Sequence, residues 1–185
     1  MAEYYLISQL PSLDGISENT PLPITSERFS ELCQRFLGKK AQNELEKLTL
    51  IPKRNPEKTS SALVEKWNEG ERNLRIVLAK LRADKMNKHF DGENQSYPAG
   101  LLQAARTAVE IESPMDAEKF LNKYRLDFLE SLRPMDSFSE EFVFYYALTL
   151  KLIERLRKFD SESGETAYRN IYDSIINGER SEVIQ

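Results

Sequence analysis

Residues 137–159, SFSEEFVFYYALTLKLIERLRKF, carry the most extensive apolar helical pattern in the chain. At 100° per residue, apolar side chains cover roughly 200° of the surface of such a helix. These side chains belong to Phe142, Val143, Tyr145, Tyr146, Leu148, Leu150, Leu152, Ile153, Leu156 and Phe159. The remaining arc consists of Glu140, Lys151, Glu154 and Lys158, interrupted by Phe144 and Ala147. A helix that is apolar over more than half of its circumference must contact several other elements, so we predict that it is the central helix.

The start of this helix has a recognisable capping sequence. Ser137 is followed three residues later by Glu140. This spacing fits a capping box, in which the serine hydroxyl accepts from the backbone N–H of the glutamate. We therefore predict that Ser137 is the N-cap of the central helix.

The segments before the central helix also repeat apolar residues at helical spacing. Thr25 is a predicted N-cap for a stripe that Gly38 ends, and a short helix follows through Ala41 and Leu48. The stripe contains Phe29, Leu32, Cys33 and Phe36. Two further helices are predicted, at Leu101–Val109 and after the Ser113-Pro114 start signal. We expect the second of these to turn Phe120, Leu121, Tyr124, Phe128 and Leu132 inward.

A long helix is predicted from a cap at Thr59 or Ser60 to about Lys88. Its core-facing residues are Leu63, Trp67, Leu74, Val77, Leu78 and Leu81. Gly70 lies inside this helix, where glycine costs up to about 1 kcal/mol relative to alanine. The packing around Gly70 must offset that cost.

The remaining segments complete an all-α prediction for a single helical domain over residues 1–185. Tyr4–Pro11 is predicted to form a short strand or one irregular turn. The segment His89–Pro98, HFDGENQSYP, is the strongest turn signal and the best candidate for a boundary between two halves. We find no hairpin chemistry elsewhere in the chain.

Composition excludes several classes of protein. The chain has 185 residues, of which 40% are hydrophobic and 30% charged, as in ordinary folded domains. A formal net charge of -4 disfavours a general nucleic-acid binder. No apolar run reaches the roughly 20 residues that span a bilayer, and no signal peptide is evident. The single cysteine excludes an internal disulfide and is compatible with the predicted cytoplasmic location.

Candidate catalytic and metal-binding residues are few. His89 is the only histidine and has no cysteine at metal-ligand spacing. Cys33 falls on an apolar stripe, where a thiol behaves as a small hydrophobe. The carboxylate pair Glu140 and Glu141 is interpreted as a solvated face. Because no glycine-rich phosphate loop is present either, we predict no enzyme activity, no cofactor, and no useful affinity for ATP or zinc.

Three arginines stand out from this background. Arg72, Arg75 and Arg82 lie within about 80° of one another on the long helix, beside its apolar stripe. Glu71 is placed to pair in part with Arg75. A basic flank beside a hydrophobic face suits docking onto an acidic protein surface, so these arginines are the predicted partner-binding residues; ordinary solvated arginines are the alternative.

Two sets of segments resemble known families. The first set resembles DUF2764, a family of short bacterial proteins encoded beside V-type ATPase subunits. This set consists of Tyr4-Tyr5-Leu6 with Leu10–Leu13, and of Phe138–Phe142 with Glu154-Arg155. Trp67–Ala83, with Asn73-Leu74-Arg75 and Arg82-Ala83, is similar to a helix of the funnel subunit of V/A-type ATPases, which is known as the C or d subunit. In that family the pattern lies in a helical funnel that seats the rotor shaft on the membrane ring.

The resemblance implies a non-enzymatic coupling subunit of a bacterial V-type ATPase. Its partners would be the central-stalk subunits and the membrane ring. It would be cytoplasmic and peripheral to the inner membrane through the ATPase, without a span of its own. Two alternatives remain from the residues alone: a helical adaptor or scaffold unrelated to the ATPase, and an enzyme with a carboxylate-based site.

Overall fold

The computed structural model describes residues 2–16, 20–53, 59–90, 95–158, 164–166 and 168–172. Within these ranges the chain is helical and contains no strand, which confirms the all-α prediction. The helices are α1 (Ala2–Ser8), α2 (Ser26–Phe36), α3 (Lys39–Lys47), α4 (Ala62–Lys85), α5 (Ala99–Glu110), α6 (Pro114–Ser131) and α7 (Glu140–Arg157). Residues 164–166 and 168–172 are also helical.

The central position predicted for the 137–159 helix is confirmed. All six residues from Val143 to Leu148 are buried, as are Leu150, Leu152 and Ile153. Phe144 and Ala147, which were expected to interrupt the polar arc, are buried as well, because neighbouring helices cover this helix on more than one side. Phe159, the last residue of the predicted stripe, lies outside the described residues.

The polar side chains of α7 hold the ends of three other helices. Glu141 Oε2 accepts from Leu63 N at 3.0 Å, at the start of α4. Glu154 Oε1 accepts from the hydroxyl of Ser26, the first residue of α2. Lys151 donates to the carbonyl of Leu48, the C-cap of α3. Carboxylates thus lie at helix N-termini and an ammonium group lies at a C-terminus, as the helix dipole favours.

The role of Glu141 corrects the interpretation of Glu140 and Glu141 as a solvated pair. The Glu141 carboxylate also accepts from the Ser61 hydroxyl at 2.9 Å. Ser61 in turn accepts from Val64 N and is the N-cap of α4. The predicted caps, Thr59 and Ser60, are wrong because both hydroxyls donate to Glu44 on α3.

The C-terminal end of α4 is earlier than predicted. The helix ends at Lys85 rather than Lys88. Asn87 adopts a left-handed conformation with φ of 53°. Lys88 N donates to Ala83 O at 2.9 Å, and Asn87 N donates to Asp84 O at 3.1 Å. These two bonds form a Schellman motif, which satisfies the last carbonyls and stops the helix.

Two further predicted helix starts are confirmed, and the predicted start of α7 is wrong. Thr25 accepts from Arg28 N, and Ser113 accepts from Asp116 N with Pro114 following. The cap of α7, however, is Ser139 rather than Ser137, and it accepts from Phe142 N. The reason is local, because Asp136 turns the chain by accepting from Phe138 N at 2.9 Å, which places Glu140 at the first helical position.

The N-terminal segment is a helix, α1, rather than the predicted strand or irregular turn. Leu6 is fully buried against the core, which provides the tertiary contact that a seven-residue helix needs. The Ser8 hydroxyl and the Gln9 amide both donate to Tyr5 O. These bonds satisfy a terminal carbonyl of the short helix.

Gly70 is explained by close packing between α4 and α6. A Cβ atom at this position would lie 2.4 Å from Cε1 and 2.5 Å from Cζ of Phe128. The Phe128 ring stacks on Trp67 with 6.2 Å between ring centroids. Glycine at this position therefore lets the aromatic ring lie directly against the α4 backbone.

Gly70→Ala should consequently destabilise the protein, although alanine is the better helix former by about 1 kcal/mol. Displacement of the Phe128 ring should produce a net loss of about 1–3 kcal/mol in the free energy of unfolding. Chemical denaturation measures this loss. In a Phe128→Leu background the clash is relieved, and Gly70→Ala should be neutral or stabilising; an equal loss in both backgrounds would contradict the packing explanation.

Two hydrophobic clusters lie along α4 and α6. The larger contains the N-terminal half of α4, Leu129 of α6, most of α7, and buried residues from α1 to α3. The smaller contains Leu74, Val77 and Leu78 of α4, Leu121 of α6, and three residues of α5. The boundary predicted at His89–Pro98 remains a prediction, and Asp91–Asn94 within it lie outside the described residues.

Among the helices that the structure describes, none combines the length and apolar character needed to cross a bilayer.

Candidate functional site

The three predicted partner-binding arginines all lie on α4, and we call them the arginine face: Arg72, Arg75 and Arg82. Arg72 and Arg82 make no ion pair or hydrogen bond to any residue that the structure describes. Arg75 differs, because its Nε donates to Glu71 Oε1 at 2.7 Å, as the sequence spacing predicted. The arginine face therefore consists of two uncommitted guanidinium groups and one that is partly neutralised.

Glu71 is the centre of a buried ion pair that the sequence did not indicate. Its side chain is 1% exposed, and its partner Arg125 on α6 is 5% exposed. Arg125 Nε donates to Glu71 Oε2 at 2.9 Å, and Arg125 Nη2 donates to Glu71 Oε1 at 3.1 Å. This bidentate geometry is the strongest form of a guanidinium–carboxylate contact.

The network extends from Arg125 to a third helix. Arg125 Nη1 donates to Glu118 Oε1 at 3.2 Å and to Asn122 Oδ1 at 3.3 Å. Arg155 of α7 also donates to Glu118. Side chains from α4, α6 and α7 are therefore joined by one chain of charge-assisted hydrogen bonds.

The buried pair lies between the two hydrophobic clusters. On α4, Glu71 falls between Trp67 of the larger cluster and Leu74 of the smaller one. On α6, Arg125 falls between Leu121 and Leu129, which belong to different clusters. Polar contacts therefore join α4 to α6 at the boundary between the two hydrophobic clusters.

An open cleft of about 240 Å³ adjoins this network. We call it the arginine cleft, because four of its lining residues are arginines: Arg75, Arg82, Arg125 and Arg155. Among the described residues that line the cleft, Glu118 is the only carboxylate. The structure thus brings Arg75 and Arg82 together in one cavity, whereas Arg72 of the arginine face does not line it.

A second, more apolar groove of about 430 Å³ adjoins the same network, with Glu71 and Arg125 in its lining. Phe128, Tyr124 and Leu101 contribute to its lining as well. The buried ion pair therefore separates a strongly basic cavity from a largely apolar one.

The other candidate residues occupy different environments. Cys33 is 1% exposed, and burial raises the pKa of its thiol to about 12, so it packs as a small hydrophobe. His89 is exposed. Within the described ranges, no group of three or more histidine, cysteine, aspartate or glutamate side chains is arranged to hold a metal ion.

Sequence reasoning missed Glu118, Arg125 and Arg155 as members of the site. A signal for Arg125 was present, because it lies four residues from both Leu121 and Leu129 and so interrupts an apolar row of α6. The expected inward row of Phe120, Tyr124, Phe128 and Leu132 is only half-buried. The fully buried row passes instead through Ala117, Leu121, Arg125 and Leu129.

Comparison with known proteins gives a match between part of the chain and a protein family. The family described as "Protein of unknown function (DUF2764)" matches residues 101–179. The matched region begins in α5 and contains α6 and α7, and therefore includes Glu118, Arg125 and Arg155. Neither a curated protein nor a solved structure matches the chain.

Proposed function

We propose that the protein is a non-enzymatic coupling subunit of a bacterial V-type ATPase, similar to the funnel subunit of V/A-type ATPases. It would seat the central rotor shaft on the membrane ring at the cytoplasmic side of the inner membrane. In this proposal the arginine face meets acidic side chains of the central-stalk subunits.

The observation that carries the proposal is the state of the arginine face. Arg72 and Arg82 have no carboxylate partner among the described residues, although the chain has a net charge of -4. Uncommitted guanidinium groups pair well with carboxylates because their planar fork matches a carboxylate edge. They also steer a charged partner into one orientation. The resemblance of Trp67–Ala83 to a helix of the funnel subunit suggests the class of partner.

Charge reversal at Arg72 and Arg82 tests the proposed docking. The variant Arg72→Glu/Arg82→Glu should keep its fold, because neither side chain pairs within the described chain. Its binding to purified central-stalk subunits should weaken several-fold or more. The salt dependence of binding should also shrink, because exposed charges act mainly on the association rate. Kinetic binding measurements at low and at physiological ionic strength, where the Debye length is about 8 Å, reveal both effects.

A matched control carries the same change in net charge elsewhere. Arg106 on α5 and Lys123 on α6 are exposed and have no ion-pair partner among the described residues. Arg106→Glu/Lys123→Glu should bind like the unaltered protein. Arg75 is left intact, because a carboxylate beside Glu71 would disturb the buried pair. Equal weakening in both double variants would show a general charge effect and contradict docking through the arginine face.

A second candidate function is a helical adaptor unrelated to the ATPase. It is favoured by an exposed aromatic cluster in which Tyr4 stacks on Phe138 at 4.7 Å and contacts Tyr5 edge-on at 6.1 Å. All three side chains are about half exposed or more, and Met135 nearby in sequence is fully exposed. Exposed apolar clusters of this kind are typical of protein-binding surfaces. Failure of the unaltered protein to bind central-stalk subunits would favour the adaptor.

A further inference from the structure

We propose that the arginine cleft binds a dianionic phosphate group, as inorganic phosphate or as a phosphate monoester. This inference is independent of the ATPase proposal, because it rests on side chains from α4, α6 and α7 rather than on the arginine face alone. The juxtaposition of Arg75, Arg82 and Arg155 around one cavity carries it.

The charge balance of the cleft favours a dianion. Four arginines line it, and among the described residues two carboxylates pair with them, Glu71 and Glu118. Two positive charges are therefore left over. Positive charges held close together at a cavity repel one another, and an anion with two negative charges would neutralise this surplus.

The hydrogen-bond donors of the cleft favour a tetrahedral anion. Arg125 is committed to Glu71, Glu118 and Asn122 and serves mainly to hold the two carboxylates in place. Arg75 uses Nε for Glu71, Arg155 uses one terminal nitrogen for Glu118, and Arg82 has no partner among the described residues. Donors from three guanidinium groups on two helices suit an anion that accepts from several directions.

The size and rigidity of the cleft fit the same ligand. Its volume of about 240 Å³ greatly exceeds the roughly 30 Å³ share of one water molecule, so a phosphate and part of a substituent can enter. Two of its three donor arginines are held by carboxylate contacts, Arg75 by Glu71 at 2.7 Å and Arg155 by Glu118. Such pre-positioned guanidinium groups lose little conformational entropy when they bind an oxyanion.

Calorimetric titration of the full chain tests the proposal, with inorganic phosphate and O-phosphoserine as separate probes at constant ionic strength. Both phosphates should bind more tightly than acetate, which carries one charge on a planar group. Tighter binding of O-phosphoserine would identify a monoester as the preferred source of the phosphate group. Equal binding would show that the phosphate group alone is recognised. Acetate binding as tightly as phosphate, or no binding of either phosphate, would overturn the proposal.

Single variants assign the binding to the cleft. Arg82→Gln and Arg155→Gln should each weaken phosphate binding about tenfold or more, the effect of losing a charged hydrogen bond. Arg82 is exposed, so its replacement leaves the fold intact even if Arg155→Gln lowers stability. Arg72→Gln should bind phosphate normally, because Arg72 does not line the cleft. Equal losses in the Arg72 and Arg82 variants would show nonspecific attraction and overturn the assignment.

Single variants at Arg155 and Arg72 also separate this inference from the ATPase proposal. Arg155→Gln should lose phosphate binding and still bind the central-stalk subunits. Arg72→Glu should weaken binding to the central-stalk subunits and still bind phosphate. If the central-stalk subunits fail to bind while phosphate still binds in the cleft, only the ATPase proposal fails.

Discussion

Replacement of Glu71 by alanine is expected to lower the free energy of unfolding by about 3–5 kcal/mol, because it leaves Arg125 buried without its main counter-charge. Arg125 is 5% exposed and donates two hydrogen bonds to Glu71. Glu118 and Asn122 accept only from Nη1 of Arg125, so Nε and Nη2 lose the acceptor that they have in Glu71. Denaturant unfolding, monitored by helical circular dichroism, measures the loss.

Two comparisons make this prediction specific. Glu31→Ala removes the exposed partner of Arg28, three residues away on α2, and should cost less than about 1 kcal/mol. The double variant Glu71→Met/Arg125→Met should recover most of the stability, because apolar residues of similar volume replace buried ion pairs well. A loss for Glu71→Ala no larger than that for Glu31→Ala would contradict the structural role of the pair.

Replacement of Tyr146 by alanine should have a comparable effect, about 3–5 kcal/mol, as for a buried phenylalanine. Tyr146 on α7 is 4% exposed and stacks on Phe29 of α2 with 5.4 Å between ring centroids. Its hydroxyl donates to Pro11 O at 2.9 Å. The side chain thus joins the N-terminal segment and α2 to the central helix. Denaturant melts measure its contribution.

Variants of two serines at the start of α7 serve as comparisons for the stability loss of Tyr146→Ala. Ser139→Ala removes the observed N-cap and should cost about 0.5–2 kcal/mol. Ser137→Ala should have little effect, because Ser137 is exposed and is not the cap. Tyr146→Phe should lose only the hydrogen bond to Pro11, about 0.5–1.5 kcal/mol. If Tyr146→Ala is milder than Ser139→Ala, α7 does not have the central role that its burial indicates.

The periodic part of the fold could be predicted from the sequence, because helical stripes and short-range caps depend on neighbouring residues. The Thr25 and Ser113 caps and the buried face of α7 are examples. The start of α4 could not be predicted in the same way. The hydroxyls of Thr59 and Ser60 donate to Glu44. The actual cap, Ser61, donates to Glu141, which lies 80 residues away in the chain. Such choices depend on tertiary neighbours that a local pattern does not contain.

The candidate site was predictable to the same extent. Arg72, Arg75 and Arg82 share one helix, so their spacing alone placed them on a common flank. Arg125 and Arg155 come from other helices, and only the packing of α6 and α7 against α4 brings them to Arg75 and Arg82. The pairing of Arg75 with Glu71 was predicted, but the burial of Glu71 was not, because its bidentate partner lies 54 residues away.

Ion transport by a reconstituted enzyme tests the proposed coupling function most directly. Vesicles would contain the V-type ATPase membrane ring, stalk and catalytic subunits from the source organism, with or without this protein. The account predicts that ATP-driven ion uptake requires the protein and falls in the Arg72→Glu/Arg82→Glu variant, while the Arg106→Glu/Lys123→Glu control supports uptake fully. Equal uptake in the presence and absence of the protein would contradict the proposal.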